Sequence, residues 1–112
     1  MTQAKDLPVA PTIPVAGLPA VLGALHDPVR LEIVRRLSNA GTPVRCAALY
    51  DAINKSTATH HFKILREAGV IERLTIDGQI CQRLRLDALE DAVPGLLPAI
   101  VAAANRATAE SG

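Results

Sequence analysis

Apolar positions along this chain change their spacing twice. From about Gly17 to Gly69 they recur at intervals of three and four, the spacing of a helix face. Beyond Gly69 they alternate with polar positions, as in half-buried strands, and the helical spacing then returns towards the C-terminus. The first helical stretch is short and apolar, Gly17 to Leu25. Asp27-Pro28 signals the start of a second, because Asp can accept from free amides and Pro suits the first helical position. This helix is expected to reach about Ala40 and stop at Gly41. Leu31 and Val34, with Ile33 and Leu37, form its inner stripe, and Arg30, Arg35 and Arg36 lie largely outside it. After the Thr42-Pro43 turn, Val44 to Ile53 reads as a short helix with Cys46 or Ala47, Leu49 and Ile53 facing inward.

Ser56 then reads as the cap of a helix running to Ala68, with Ala58, Phe62 and Leu65 inward, joined by Ile64 and Ala68. Gly69 ends it. Val70 to Ile76 and Gln79 to Leu86 read as strands joined by Asp77-Gly78, a strong two-residue hairpin signal. Leu74 and Ile76 alternate with Arg73 and Thr75. Ile80, Leu84 and Leu86 alternate with Cys81, Arg83 and Arg85. One hairpin face is therefore expected to be apolar and the other basic. Asp87 reads as the cap of Ala88 to Val93, Pro94-Gly95 breaks the chain, and Leu96 to Ala107 forms the last helix.

This order predicts a mainly α fold with a β-hairpin wing, a winged helix-turn-helix, over residues 17–108. Pro8, Pro11 and Pro14 make residues 1–16 an expected flexible, extended arm, and residues 109–112 an expected disordered tail. Composition sharpens the core. Of 112 residues 49% are hydrophobic, yet there is one Phe, one Tyr and no Trp, so the core must be aliphatic.

Net charge is only +1, but it is unevenly spread. Residues 54–85 carry six basic side chains (Lys55, Lys63, Arg66, Arg73, Arg83, Arg85) against three acidic ones (Glu67, Glu72, Asp77). The segment after them is acidic. A basic middle suits one face meeting phosphate. The outer face of the helix from Ser56 offers Ser56, Thr57, Thr59, His60 and Lys63, side chains able to reach base edges or phosphates in a major groove. Arg73, Arg83 and Arg85, beside Asp77-Gly78, suit backbone contact at the wing.

These residues carry a resemblance. ALHDPVRLEIVRRL (Ala24 to Leu37), KSTATHHFKILREAGVIE (Lys55 to Glu72) and LRLDALEDAVPGLL (Leu84 to Leu97) together resemble the ArsR/SmtB family of bacterial winged-helix repressors. The resemblance covers about residues 18–105. It implies a homodimeric repressor that binds an operator palindrome in double-stranded DNA and leaves it when an inducer binds. It also implies that Lys55, Ser56, Thr57, Thr59, His60 and Lys63 face the operator, with Gly78 at the wing. Thr59 stands where many members have Ser, which keeps a hydroxyl, and Phe62 replaces the usual Leu.

The family's metal sites are not matched. Arg45-Cys46-Ala47 holds one Cys where a Cys-x-Cys pair would sit, and the last helix has no His or Cys. No metal and no cofactor are expected. Adjacent His60 and His61 lie about 100° apart on a helix and do not chelate one ion well; His60 suits DNA, and His61 packing or hydrogen bonding. Cys46 and Cys81 are candidates for a redox switch. Cys46 adjoins Arg45 near an expected helix start, and Cys81 is expected exposed on the basic side of the wing, distant from Cys46. The last helix is apolar almost all round, and a monomer of this length can hardly cover it. Leu97, Ile100, Val101 and Ala104, with Leu18, Val21, Leu22 and Leu25, are therefore expected at a dimer interface. No secretory signal or membrane-length apolar run is present, so a cytoplasmic protein is expected. No phosphate loop or nucleophile motif points to an enzyme. A repressor is the first reading; a thiol-sensing repressor through Cys46 and a winged-helix protein-interaction module are the alternatives.

Overall fold

Two Asp27 hydrogen bonds launch the first long helix. The chain was analysed as a computed structural model that describes residues 13–111, so residues 1–12 of the expected arm and Gly112 lie outside the described residues. After the short helix α1 (Leu18–Leu25), Asp27 Oδ1 accepts from the amides of Val29 at 2.8 Å and Arg30 at 3.1 Å. Pro28 opens α2 (Pro28–Ala40), and Gly41 closes it at φ 68°. Ile33, Val34 and Leu37 form the buried stripe of α2, while Leu31 is half-buried. Arg30 turns back to α1, donating from Nε to Ala24 O at 2.6 Å. Glu32 accepts from both Arg35 and Arg36. The Arg35 hydrogen bond, with that of Arg36 beside it, outweighs burial and holds its carboxyl at about 2, well below the usual range.

The expected helix from Val44 to Ile53 does not form. Val44–Arg45 is a two-residue strand, β1, followed by a 3-10 turn at Cys46–Ala48. Val44 pairs with Gln82 and Arg45 with Cys81, so sheet hydrogen bonding takes the place of a first helical turn. The spacing was ambiguous for a physical reason. A 3-10 turn also brings i and i+3 to one side, and Leu49, three after Cys46, is fully buried.

Helix α3 spans Lys55–Glu67. Strands β2 (Ile71–Ile76) and β3 (Gln79–Leu84) follow, joined through Asp77 at φ 50° and Gly78 at φ 77°. Positive φ at both positions is the geometry of a tight hairpin turn whose twist matches its strands. The wing is thus three-stranded, antiparallel, in the order β1-β3-β2, rather than the two-stranded hairpin expected. Helix α4 (Leu86–Ala92) begins before Asp87 and has no side-chain cap. Gly95, at φ 77°, separates it from α5 (Leu96–Ser111). Helix α5 continues past Ala107 through positions expected as tail.

The core is aliphatic, with Phe62 its only buried aromatic among the described residues. Helix α5 lies against α2, where Asn39 and Asn105 exchange amide hydrogen bonds of 2.9 and 3.0 Å. This docking corrects the expected dimer set. Val21, Leu25, Leu97 and Val101 are buried in the protomer's own core. Leu18 and Leu22 remain exposed at 48% and 43%, and Ile100 and Ala104 are half-buried.

Residues 13–16, expected as part of a flexible arm, are held in place. Ala16 N–H donates to Ala68 O at 2.9 Å, and Arg85 donates to the carbonyls of Ile13 and Gly69. Gly69 sits where these segments meet, at φ 79°. A Cβ there would lie 2.6 Å from Pro14 O and from Val15 Cα, both backbone atoms. Gly69→Ala therefore meets both a backbone clash and an unfavourable φ. It is expected to destabilise the fold by about 2 kcal/mol or more in urea unfolding, whereas Gly23→Ala, with open space around its Cβ, is expected to be neutral or stabilising.

Candidate nucleic-acid interface

Helix α3 is set by its inner stripe and by a cap two residues earlier than expected. Asn54, not Ser56, is the N-cap: its Oδ1 accepts from Thr57 N–H at 2.8 Å. Ser56 lies inside the first turn. Ala58, Phe62 and Leu65 are buried, and Tyr50 meets Phe62 edge-on with ring centroids 6.2 Å apart. Every 3.6 residues the same side returns inward, so the opposite side must face out. Lys55, Ser56, Thr57, Thr59, His60 and Lys63 are all exposed there. No carboxylate interrupts them between Lys55 and Lys63. The Thr59 hydroxyl donates to Lys55 O at 2.9 Å, leaving its oxygen lone pairs outward. His61 is turned away from this face. Its Nδ1 lies 3.2 Å from Arg30 Nη1; a guanidinium only donates, so Nδ1 accepts and the ring proton sits on Nε2.

The wing distributes its charges differently from the expected basic face. A two-residue turn pairs Glu72 with Arg83 and Arg73 with Gln82. Cross-strand partners share a face and successive residues alternate, so Arg73 and Arg83 lie on opposite faces. Arg83 donates from Nε to Glu72 Oε1 at 2.8 Å. Arg85 turns away to the carbonyls of Ile13 and Gly69. Gly78 is exposed at the tip. This register was countable in the sequence, because Asp77-Gly78 fixes Ile76 opposite Gln79 and the rest follows by twos.

The cysteines also depart from expectation. Cys81 is buried opposite Leu74, and burial pushes its thiol up, away from thiolate reactivity. Cys46 is half-buried, and Gln82 Nε2 reaches its Sγ at 3.6 Å. The segments are neighbours, since Arg45 pairs with Cys81 and Cys46 follows Arg45 in the 3-10 turn.

Between α3 and the sheet lies a cavity of about 530 Å³ that sequence reasoning did not foresee. Arg73 faces into it, together with Arg66 and Gln82, away from the outer surface. Among the described residues, no group of three His, Cys, Asp or Glu side chains comes together, and no helix is long and apolar enough to cross a membrane.

A family model described as a helix-turn-helix domain matches residues 25–73. Over 79 residues, the chain is 35% identical to an uncharacterized HTH-type transcriptional regulator, YceK, of Bacillus subtilis (strain 168). That alignment covers 69% of this chain and 79% of the relative. The chain belongs to the helix-turn-helix transcriptional regulators. In this regulator the family match takes in α2, β1, α3 and the start of β2, so the capped helix and its exposed face lie wholly inside it, while β3 lies beyond.

The cap separates stability from surface chemistry in this regulator. Asn54→Ala is expected to cost about 1 kcal/mol in denaturant unfolding by releasing the Thr57 amide. Ser56→Ala is expected to change stability by less than half that, because its hydroxyl caps nothing.

Proposed function

We propose that this regulator is a homodimeric, sequence-specific repressor that binds an operator palindrome in double-stranded DNA through α3 and is released by a signal. The observation that carries the reading is the outer face of α3: Lys55, Ser56, Thr57, Thr59, His60 and Lys63 are exposed together, with hydroxyl, imidazole and ammonium groups and no carboxylate among them. Hydroxyls donate and accept at base edges, and a lysine reaches guanine acceptors or a phosphate. The exposed Gly78 at the wing tip and Arg83 beside Glu72 supply backbone contacts at the flank. Arg73, facing the cavity, does not belong to this surface.

The resemblance to the ArsR/SmtB repressors supports a two-fold dimer, and so does the surface left over by the protomer core. Leu22 and Ile100 line an apolar groove between α1 and α5, and exposed Leu18 lies one helical turn before Leu22 on α1. A second copy seated there removes this surface from water. Two-fold symmetry then places two copies of α3 on successive major grooves, about 34 Å apart.

The test is duplex binding as a function of salt, using the DNA upstream of the protein's own coding sequence. Lys63→Ala is expected to weaken binding several-fold and to reduce the slope of log affinity against log salt by about 1, as loss of one phosphate contact does. Unchanged affinity and slope in Lys63→Ala, with the wild type bound, would remove α3 from the interface.

A further inference from the structure

The cavity between α3 and the sheet has the features of a ligand site. Its volume of about 530 Å³ is that of a small-molecule pocket. One wall is apolar: Tyr50 and Phe62 on one side, and Ile80, 45% exposed, near the wing end. The other wall is cationic. Arg66 from α3 and Arg73 from β2 both line it. Arg45 from β1 stands in the same lining. Among the described residues neither Arg66 nor Arg73 has a carboxylate partner, whereas Arg83 and Arg85 are bonded. Burial, and then the like charge of Arg73, lowers the pKa of Arg66, so the two cations disfavour each other.

Two polar atoms of the cavity residues define the chemistry further. Arg73 Nε and Gln82 Oε1 are buried without any hydrogen-bond partner. Gln82 is 1% exposed, the one fully buried polar side chain among the described residues, and it lines the cavity. A buried donor and a buried acceptor left open are costly unless something satisfies them. They come from residues directly opposite each other on β2 and β3. The complement is a carboxylate for the guanidiniums, a neutral hydroxyl or N–H donor next to it for Gln82, and an apolar body for the aromatic wall.

We infer that this cavity binds a small organic carboxylate with an adjacent neutral hydrogen-bond donor and an apolar body, such as a 2-hydroxy acid with a hydrocarbon side chain. A bare inorganic anion would satisfy the guanidiniums but leave the apolar wall empty. A 2-ammonio acid would bring a second cation next to Arg73. The occupant touches α3 and the wing at once, and Lys55 and Thr59 stand at the rim. Binding to the free protein does not rest on the repressor reading; only its consequence for DNA does.

The test uses the full chain without DNA, in an anion-poor buffer, with mandelate as probe. Phenylacetate lacks its hydroxyl, mandelamide lacks its charge, and inorganic phosphate lacks its body. Calorimetric titration is combined with NMR of the Gln82 side-chain amide. Mandelate is expected to bind at least about tenfold more tightly than mandelamide, as charge-assisted bonds to a half-buried guanidinium imply, and more tightly than phosphate, which leaves the apolar wall empty, and than phenylacetate, which leaves Gln82 without a donor. It is also expected to shift the Gln82 amide resonances. Arg73→Gln and Arg66→Gln, each checked for folding by its amide spectrum, are expected to lose that preference. Absence of mandelate binding, equal binding of phosphate or mandelamide, or binding unaffected by both folded variants would each overturn the assignment. Because no DNA is present, these outcomes are independent of the Lys63→Ala result.

Discussion

Burial of Ala58, Phe62 and Leu65 determines which way α3 faces, and the rest of the surface chemistry depends on that. Fully burying Phe62 and Leu65 is worth about 1.5–3 kcal/mol each, while the Asn54 cap is worth about 1 kcal/mol. Burial therefore sets the rotation of the helix, and the cap only sets where it begins. Turning α3 by one residue, about 100°, would lift Phe62 towards water and press Lys63 towards the core. No other side chain on the helix could compensate for that exchange. The exposed row from Lys55 to Lys63 is thus a consequence of packing on the opposite side of the helix.

Most of this setting was legible in the sequence because a long amphipathic helix writes its period many times. The α2 cap at Asp27-Pro28, the stop at Gly41, the turn at Asp77-Gly78 and the inner stripe of α3 were each read from local chemistry and are present. The Val44 to Ile53 segment is ambiguous in the sequence because a 3-10 turn and an α-turn both bring Cys46 and Leu49 to one side over so short a run. Only the tertiary pairing of Val44 and Arg45 with β3 decides between them. The cap of α3 was placed two residues late because Asn54 and Ser56 are both good capping types, and backbone geometry chooses.

The wing shows a different limit. Alternation along each strand is visible in sequence, but the relation between strands depends on register. Counting outward from the two-residue turn sends Arg73 to the α3 side and Arg83 to the opposite side. That parity turns a supposed basic face into two environments, one an ion pair with Glu72 and one a cationic cavity wall. It also buries Cys81 and Gln82, residues that alternation within one strand could not place. In the terminal helices the ambiguity was one of degree. An all-apolar α5 must bury more than one side, and docking against α2 takes Leu97 and Val101 while leaving Ile100 at the groove beside Leu22.

The central claim is that packing presents the Lys55-to-Lys63 face of α3, with the wing tip, as the surface that meets a nucleic-acid duplex. Backbone amide shifts on adding a short DNA duplex at low salt test it directly, since backbone contacts and field effects are then strongest. The largest changes are expected on residues 55–63 and on Asp77 and Gly78, while Leu18, Leu22 and Ile100 stay nearly still. Changes concentrated at the α1–α5 groove, or none on α3 while the duplex is bound, would contradict it.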